Sequence, residues 1–350
     1  VTAYSEVVVR YDGSEWRNFT TADGLPENQV KLLFTDKDNK LCAVTDSGLS
    51  RYADGEWWPF TDKEMLAGTV RTVDKDSKGN LWFGSVEDDI IRFDGIAWNK
   101  YGTGNGLPDN TVTALAEDNS HAIWLGTRDG SVSRYDNNGW KVFGPEQVQA
   151  GEYILSLLAD SRGDIWAVGE SGVSRYNGVG WQVITTGSGL NGDRIIPIFE
   201  DGSGDVWFGG NGEGVRRFDG SNWKTYTRTD GIGSDTVNDI AQDNKGNLWF
   251  AADSISRFNG TSWQSFNTDE TILTILTGTD DDIWFITEEK GVIHFDGAEM
   301  QVLPDELPFM PWLGGTLADS KGNLWMATFY TSSGGLHKFD GDKWKTFTPK

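Results

Sequence analysis

The sequence repeats itself with a period of about 41 residues, and that period limits the folds open to it more than any other property. In register, an Asp is followed six residues later by a Trp. The step recurs as Asp76 to Trp82, Asp118 to Trp124, Asp160 to Trp166, Asp201 to Trp207, Asp243 to Trp249 and Asp319 to Trp325. The first copy keeps the Asp and has Cys42 in the Trp place, reading Asp36 to Cys42. The seventh ends in Trp284, with Asp280, Asp281 and Asp282 expected to crowd a shortened turn. These make eight copies.

Downstream in each copy lies a Gly-apolar-x-basic-aromatic segment, as in Gly48-Leu49-Ser50-Arg51-Tyr52 and Gly172-Val173-Ser174-Arg175-Tyr176. A turn and a second Trp follow. That second column is Trp16, Trp57, Trp98, Trp140, Trp181, Trp223, Trp263 and Trp344, with Met300 in the remaining slot. Of the 17 Trp, only Trp58 and Trp312 fall outside the two columns. Each copy reads as four short strands. Turns such as Ser77-Lys78-Gly79-Asn80, and the Asp-Gly or Asn-Gly steps before most outer Trp, supply the positive-φ positions of tight hairpins. Helix-period stretches are absent.

A four-stranded repeat of this length is the signature of a β-propeller, in which each blade buries both faces against its neighbours. The expected fold is therefore all-β, with eight four-stranded blades in one domain spanning 1–350. Residues 20–350 carry the eight repeats, and 1–19 an extra N-terminal hairpin, Val7 to Tyr11 and Trp16 to Thr20, equivalent to the third and outer strands of a blade. It reads as a surplus strand pair; the alternative is a partial ninth blade.

Composition removes several functions. With 53 Asp and Glu against 30 Lys and Arg, the net charge of −23 repels phosphate backbones and anionic lipid, so neither nucleic-acid binding nor membrane docking is expected. No apolar run reaches the roughly 18 residues of a membrane span, and no charged and apolar leader opens the sequence, which reads as a mature or trimmed chain. One Cys and three scattered His do not provide a zinc cluster of the usual spacing. No cofactor is expected. Calcium in the axial channel or a loop is not indicated, because each Asp turn offers fewer ligands than an EF-hand loop and reads instead as a turn cap.

Copies such as Thr21-Ala22-Asp23-Gly24-Leu25-Pro26-Glu27-Asn28-Gln29-Val30, Gly106-Leu107-Pro108-Asp109-Asn110-Thr111-Val112, Gly246-Asn247-Leu248-Trp249 and Arg134-Tyr135-Asp136 resemble the two-component regulator propeller repeat. The resemblance covers essentially the whole chain. It implies the periplasmic sensor region of a bacterial hybrid histidine kinase, or a stand-alone exported relative, with a glycan as ligand and a periplasmic or extracellular location. No kinase, receiver or helix-turn-helix segment accompanies it.

The two Trp columns read as blade packing. The basic column, Arg10, Arg51, Arg92, Arg134, Arg175, Arg217, Arg257, His294 and Lys338, reads as cations stacked on aromatic rings and paired with Asp. His121, His294 and His337 have no nucleophile or carboxylate partner implied by spacing, so a Ser-His-Asp site is not supported. What breaks the repeat is more informative. The eighth copy has a longer entry loop, 303–312, and a longer 329–334 loop, which place Phe309, Trp312, Phe329 and Tyr330 where packing does not require them. Both loops belong to the face shared by the outer-to-inner and second-to-third connections. On that face Asp46, Glu87, Asp88, Arg128, Glu170, Asn211, Glu213, Asp253 and Glu288 vary between copies. Arg128 is the one cation, suited to a carboxylate or sulfate, or to pairing with Glu87 or Glu170.

The ligand-binding set is therefore Phe309, Trp312, Phe329, Tyr330, Arg128, Glu170, Glu87, Asn211 and Glu288, with no catalytic residue among them. The function expected is non-catalytic binding or sensing of an extracellular oligosaccharide or similar small ligand. A protein-interaction scaffold is the first alternative. The second is a carbohydrate-active enzyme using two of Glu87, Glu170, Glu213 and Glu288, which would need a separation of about 5 or about 6.5 to 9.5 Å.

Overall fold

The computed structural model describes residues 2–4, 7–11, 16–28, 30–36, 38, 40–45, 48–59, 70–85, 89–109, 111–136, 138–184, 198–210, 212, 214–278, 282–288, 291–303, 313–318, 322–328, 335–341 and 343–347. They form an all-β propeller fold of eight four-stranded antiparallel blades, at 30–59, 70–101, 112–143, 154–184, 198–226, 239–266, 272–302 and 313–347, with the strands of each blade side by side in chain order. Among the described residues helix is confined to Pro145–Val148 and the single-turn segments Thr21–Asp23, Thr103–Asn105 and Arg228–Asp230. The chain divides into two compact units, Val1–Thr186 and Gly187–Lys350, each holding four blades.

The strand sequences follow from what covers them. In the third blade the second strand, Ile123–Thr127, is buried along its whole length, because neighbouring blades cover both faces, and it reads as an apolar run. Along the edge strand Trp140–Phe143 only Lys141 is exposed, Trp140 and Val142 are partly buried and Phe143 is buried. Between the third and fourth blades Trp124, Val132 and Phe143 pack against Ile154, Ile165 and Ala167.

The expected N-terminal pair is present as Val7–Tyr11 and Trp16–Phe19, and a further strand, Thr2–Tyr4, extends it to three. Val8 and Phe19 share a core with Leu25, Val30, Ala43 and Trp57 of the first repeat. These are the positions through which a complete blade packs on its successor, so the extra strands pack as a partial blade does.

The six-residue spacing of Asp and Trp is a hydrogen bond. The indole Nε1 donates to the carboxylate Oδ2 at 3.0 Å in Trp82 to Asp76, 2.8 Å in Trp124 to Asp118, 3.0 Å in Trp166 to Asp160, 2.7 Å in Trp207 to Asp201 and 2.9 Å in Trp249 to Asp243. The other oxygen of Asp160 accepts from the amides of Arg162 and Asp164 at 3.0 and 2.8 Å. One carboxylate thus closes the turn and holds the largest side chain of the blade. The basic column lies over the same rings: Arg92, Arg134, Arg175, Arg217, Arg257 and Lys338 stand 5.5 to 5.8 Å from Trp82, Trp124, Trp166, Trp207, Trp249 and Trp325. Several pair with Asp as well, Arg51 with Asp36 at 2.6 Å and Arg175 Nε with Asp164 at 2.7 Å. In the first blade Cys42 replaces the indole, 4.0 Å from Asp36, and burial followed by the nearby Asp36 charge pushes its thiol up to about 12.

The seventh blade corrects the sequence reading. Its turn is not shortened: the amide of Gly278 donates to the Asp282 carbonyl at 2.7 Å, the bond that Asp160 makes to Asp164 at 2.9 Å. Gly278 holds the Asp position, and the six-residue spacing to Trp284 is intact.

Neighbouring blades are also latched through their turns. Glu117 accepts from the Ser77 amide at 2.6 Å, and Gln242, at the corresponding place in the sixth blade, accepts from the Gly202 amide at 2.8 Å.

His337, fully buried on the third strand of the eighth blade, shares a hydrogen bond with Thr346 Oγ1 at 2.9 Å, and burial lowers its pKa below the ordinary 6.5. The unfolded chain takes up a proton below about 6.5 that the folded chain refuses, so stability is full above that value and falls as pH drops through it, levelling below the native pKa. Denaturant midpoints between about pH 7.5 and 5.5 should fall more steeply for the wild type than for His337→Gln; equal slopes would refute this role.

Candidate functional site

The face on which the outer-to-inner and second-to-third connections emerge is best defined across the third and fourth blades. The turn after Ile123–Thr127 is tied by its own side chains: Thr127 Oγ1 donates to Asp129 at 2.7 Å, and the Ser131 amide and hydroxyl donate to Asp129 at 3.0 Å each. Gly130, at φ 79°, leaves no room for a side chain, since a Cβ would stand 2.1 Å from the Gly151 carbonyl oxygen. Gly151, at φ 125°, presses equally on the next turn, where a Cβ would lie 2.8 Å from the Ser171 amide and 3.1 Å from that of Glu170. Three connections from successive positions on this face are therefore packed backbone to backbone.

Arg128 and Glu170 stand exposed on the outer two of these connections. The Arg128 amide is anchored to the Thr111 carbonyl at 3.0 Å, and its Nε donates to the Tyr153 hydroxyl at 3.0 Å, with the guanidinium 5.5 Å from the ring centre. The sequence suggested pairing of Arg128 with Glu87 or Glu170; Glu87 lies outside the described residues, and the contact seen among the described ones is to Tyr153. Tyr153 was missed by sequence reading, although it stands in the entry loop of the fourth copy, which lacks the Gly-Leu-Pro turn, and no repeat rule calls for an aromatic there.

In the second unit the same class of loops bounds a cavity of about 400 Å³. Phe266, Ile293, Met300 and Val302 form its apolar side, and Asn267, Thr268, Asp269, Glu270 and Thr287 its polar side. Glu288 follows Thr287, and its amide donates to the Thr271 carbonyl at 2.9 Å. Of the remaining sequence candidates, Phe309, Trp312, Phe329, Tyr330, Glu87 and Asn211 lie outside the described residues, as do Asp46, Asp88 and Glu213.

On the opposite connections the structure corrects the reading of the histidines. His121 Nδ1 lies 3.0 Å from Glu117 Oε1 and 2.8 Å from Ser77 Oγ, and Ser77 Oγ donates to the same Glu117 oxygen at 2.6 Å. His294 Nε2 meets Asp282 at 2.8 Å. The Ser77 cluster is not a nucleophilic triad, because serine and carboxylate converge on one ring nitrogen, whereas proton relay needs them on opposite ones. It adds to the latch between the second and third blades.

The family model described as the two-component regulator propeller matches residues 106–129 and 231–254. Two stretches of the chain thus match the two-component regulator propeller repeat. Both matched segments run from an entry-loop Gly through the Asp and Trp of the hairpin to the next connection. Among solved structures the chain is similar to the extracellular domain of a hybrid two component system from B. thetaiotaomicron, at 18% identity and TM-score 0.48, covering 97% of this chain and 54% of that one. The chain thus spans about half the length of that domain. It is similar also to a virginiamycin B lyase from Staphylococcus aureus, at 15% identity and TM-score 0.48, covering 73% and 90% of the two chains. A third is PorZ, a surface component of the type-IX secretion system of Porphyromonas gingivalis, at 14% identity and TM-score 0.39, covering 99% and 57%. No curated protein matches the sequence. Among the described residues no helix is long and apolar enough to cross a membrane.

Because the propeller repeat leaves Arg128 exposed and Gly130 pinned, their substitutions should separate. Gly130→Ala is expected to lose about 1 to 3 kcal/mol in urea denaturation, and Arg128→Ala to change stability by less than about 0.5 kcal/mol. Similar losses for the two would refute the packed-loop description.

Proposed function

We propose that this chain is a non-catalytic ligand-binding or sensing propeller that works in the bacterial periplasm or outside the cell and takes an oligosaccharide or similar small polar ligand. The observation that carries the reading is the Arg128 and Tyr153 pair. An exposed guanidinium sits beside an aromatic ring on connections fixed by backbone packing at Gly130 and Gly151. A partly buried ring offers part of its apolar face to the C–H side of a sugar, and the exposed guanidinium beside it offers a positive charge that attracts a carboxylate or sulfate. Rigid scaffolds with variable loops are where such groups concentrate. Phe309, Trp312, Phe329 and Tyr330 are proposed to add aromatic faces from the eighth copy, and Glu87, Glu170, Asn211 and Glu288 polar contacts.

A calcium-free thermal-shift panel of neutral, uronic and sulfated oligosaccharides tests this. A ligand at 100 times its dissociation constant adds about 2.7 kcal/mol, a rise of several degrees. The rise should occur with an acidic sugar, and Arg128→Ala should remove it while leaving the unliganded melting temperature unchanged. No rise with any member would turn the reading toward a protein partner, and an equal rise in Arg128→Ala would move the site elsewhere.

A further inference from the structure

The junction of the sixth and seventh blades departs from the repeat in several ways that fall on one place. Its connection is short, 267–271, against 102–111 between the second and third blades and 144–153 between the third and fourth. It is also polar throughout, reading Asn267-Thr268-Asp269-Glu270-Thr271, whereas Leu25, Leu107, Val148 and Ile232 each bury an apolar side chain from the corresponding connections. Those side chains pack with the end of one outer strand and the outer Trp of the next blade: Leu25 with Phe19 and Trp57, Val148 with Phe143 and Trp181, and Ile232 with Tyr226 and Trp263. In the seventh blade Met300 stands where that Trp would be. Ile293 replaces the serine that in the first and fourth blades, as Ser50 and Ser174, donates to a carbonyl of the connection. The missing plug and the missing indole leave the cavity of about 400 Å³. Beside it Phe266 is only half-buried, where Phe19, Phe143 and Tyr226 are buried, and Val302 is 64% exposed.

We propose that this cavity binds a small organic ammonium ion, a compact apolar body that carries one protonated amine. Phe266, Ile293, Met300 and Val302 offer the body the apolar surface that other junctions cover with their own plug and indole. The charge is set by the opposite wall. Asp269 and Glu270 stand there, and none of the described residues lining the cavity is basic, so an ammonium group is attracted and a carboxylate of the same shape is repelled. The walls are fixed before a guest arrives. Thr268 Oγ1 donates to the Glu270 carbonyl at 2.9 Å, the Ile272 amide to the Ala252 carbonyl at 2.7 Å and Thr287 Oγ1 to the Gly291 carbonyl at 3.2 Å. Phe266 is stacked on the buried Trp249, with centroids 5.9 Å apart and planes at 20°. The volume falls in the range of about 300 to 1,000 Å³ usual for small-molecule sites. The site lies within the second unit and does not rest on the sugar reading at Arg128 and Tyr153.

The test is a titration of the intact chain, labelled with ¹³C at its four methionine methyls, by phenethylammonium chloride, with methylammonium and 3-phenylpropionate as controls at equal ionic strength. The resonance absent from Met300→Leu should shift saturably with phenethylammonium and stay in place with both controls. Asp269→Asn combined with Glu270→Gln should weaken binding about three- to tenfold, the worth of two exposed ion pairs. At ten times its dissociation constant phenethylammonium should raise the melting temperature of the wild type by about 1 to 2 °C. Met300→Trp should restore the indole of the repeat, fill the cavity and abolish that rise. If that variant fails to fold, the Met300 resonance and the carboxamide variant still decide the matter. The proposal is overturned if the Met300 methyl does not respond beyond the methylammonium control, if 3-phenylpropionate shifts it equally, or if the carboxamide variant binds as tightly as the wild type.

Discussion

A carboxylate accepting an indole N–H six residues away is the interaction on which the second to sixth blades depend. Closing the turn alone would need only Asn or Ser, and filling the blade alone would need only a large apolar side chain. The Asp does both, because one oxygen collects turn amides and the other collects the Trp. Asp160, with no exposed surface, shows why the arrangement is obligatory once begun: removing the carboxylate would leave the Arg162 and Asp164 amides and the Trp166 indole without their acceptor. The Asp164 amide and the Trp166 indole, both buried, would each cost about 1 to 3 kcal/mol. The cation on the third strand completes the cluster by covering the ring and pairing with an acidic neighbour, as Arg175 does with Trp166 and Asp164.

That division of labour explains what could be read in the sequence. Trp at two fixed phases, with Asp at one fixed distance, reports blade number and strand order directly, since the side chains that make blades are those that recur. The stacked and paired use of Arg134 and Arg217 was legible for the same reason. The bond between Asp and Trp was not, because spacing shows that two residues keep company without showing that their atoms meet. Gly278 was concealed by the three acidic residues after it, which drew the eye from an unchanged six-residue step. The partner of His121 was hidden differently: Ser77 lies 44 residues away on the neighbouring turn, a contact that only blade packing creates.

The candidate site follows a complementary logic. Repeat positions are committed to packing, so recognition falls to side chains on connections that the repeat leaves free. Arg128 and Glu170 were found by their variation between copies, and the structure joined them through Gly151, whose close approach to the Glu170 and Ser171 amides no pattern announces. Tyr153 obeys the rule used to single out Phe309 and Trp312, an aromatic where packing asks for none, applied to the fourth copy instead of the eighth. The acidic balance of the chain gives this exposed cation its value, because a ligand carrying a carboxylate or sulfate meets an otherwise repelling surface.

The most direct test of the account is a double-mutant cycle on Asp160 and Trp166, using Asp160→Ala, Trp166→Phe and the double variant in urea denaturation. The carboxylate-to-indole bond predicts a coupling energy of about 1 to 3 kcal/mol, with Asp160→Ala costing less once the indole N–H is gone. Strictly additive losses would contradict it, leaving the conserved spacing within this chain as two independent packing requirements.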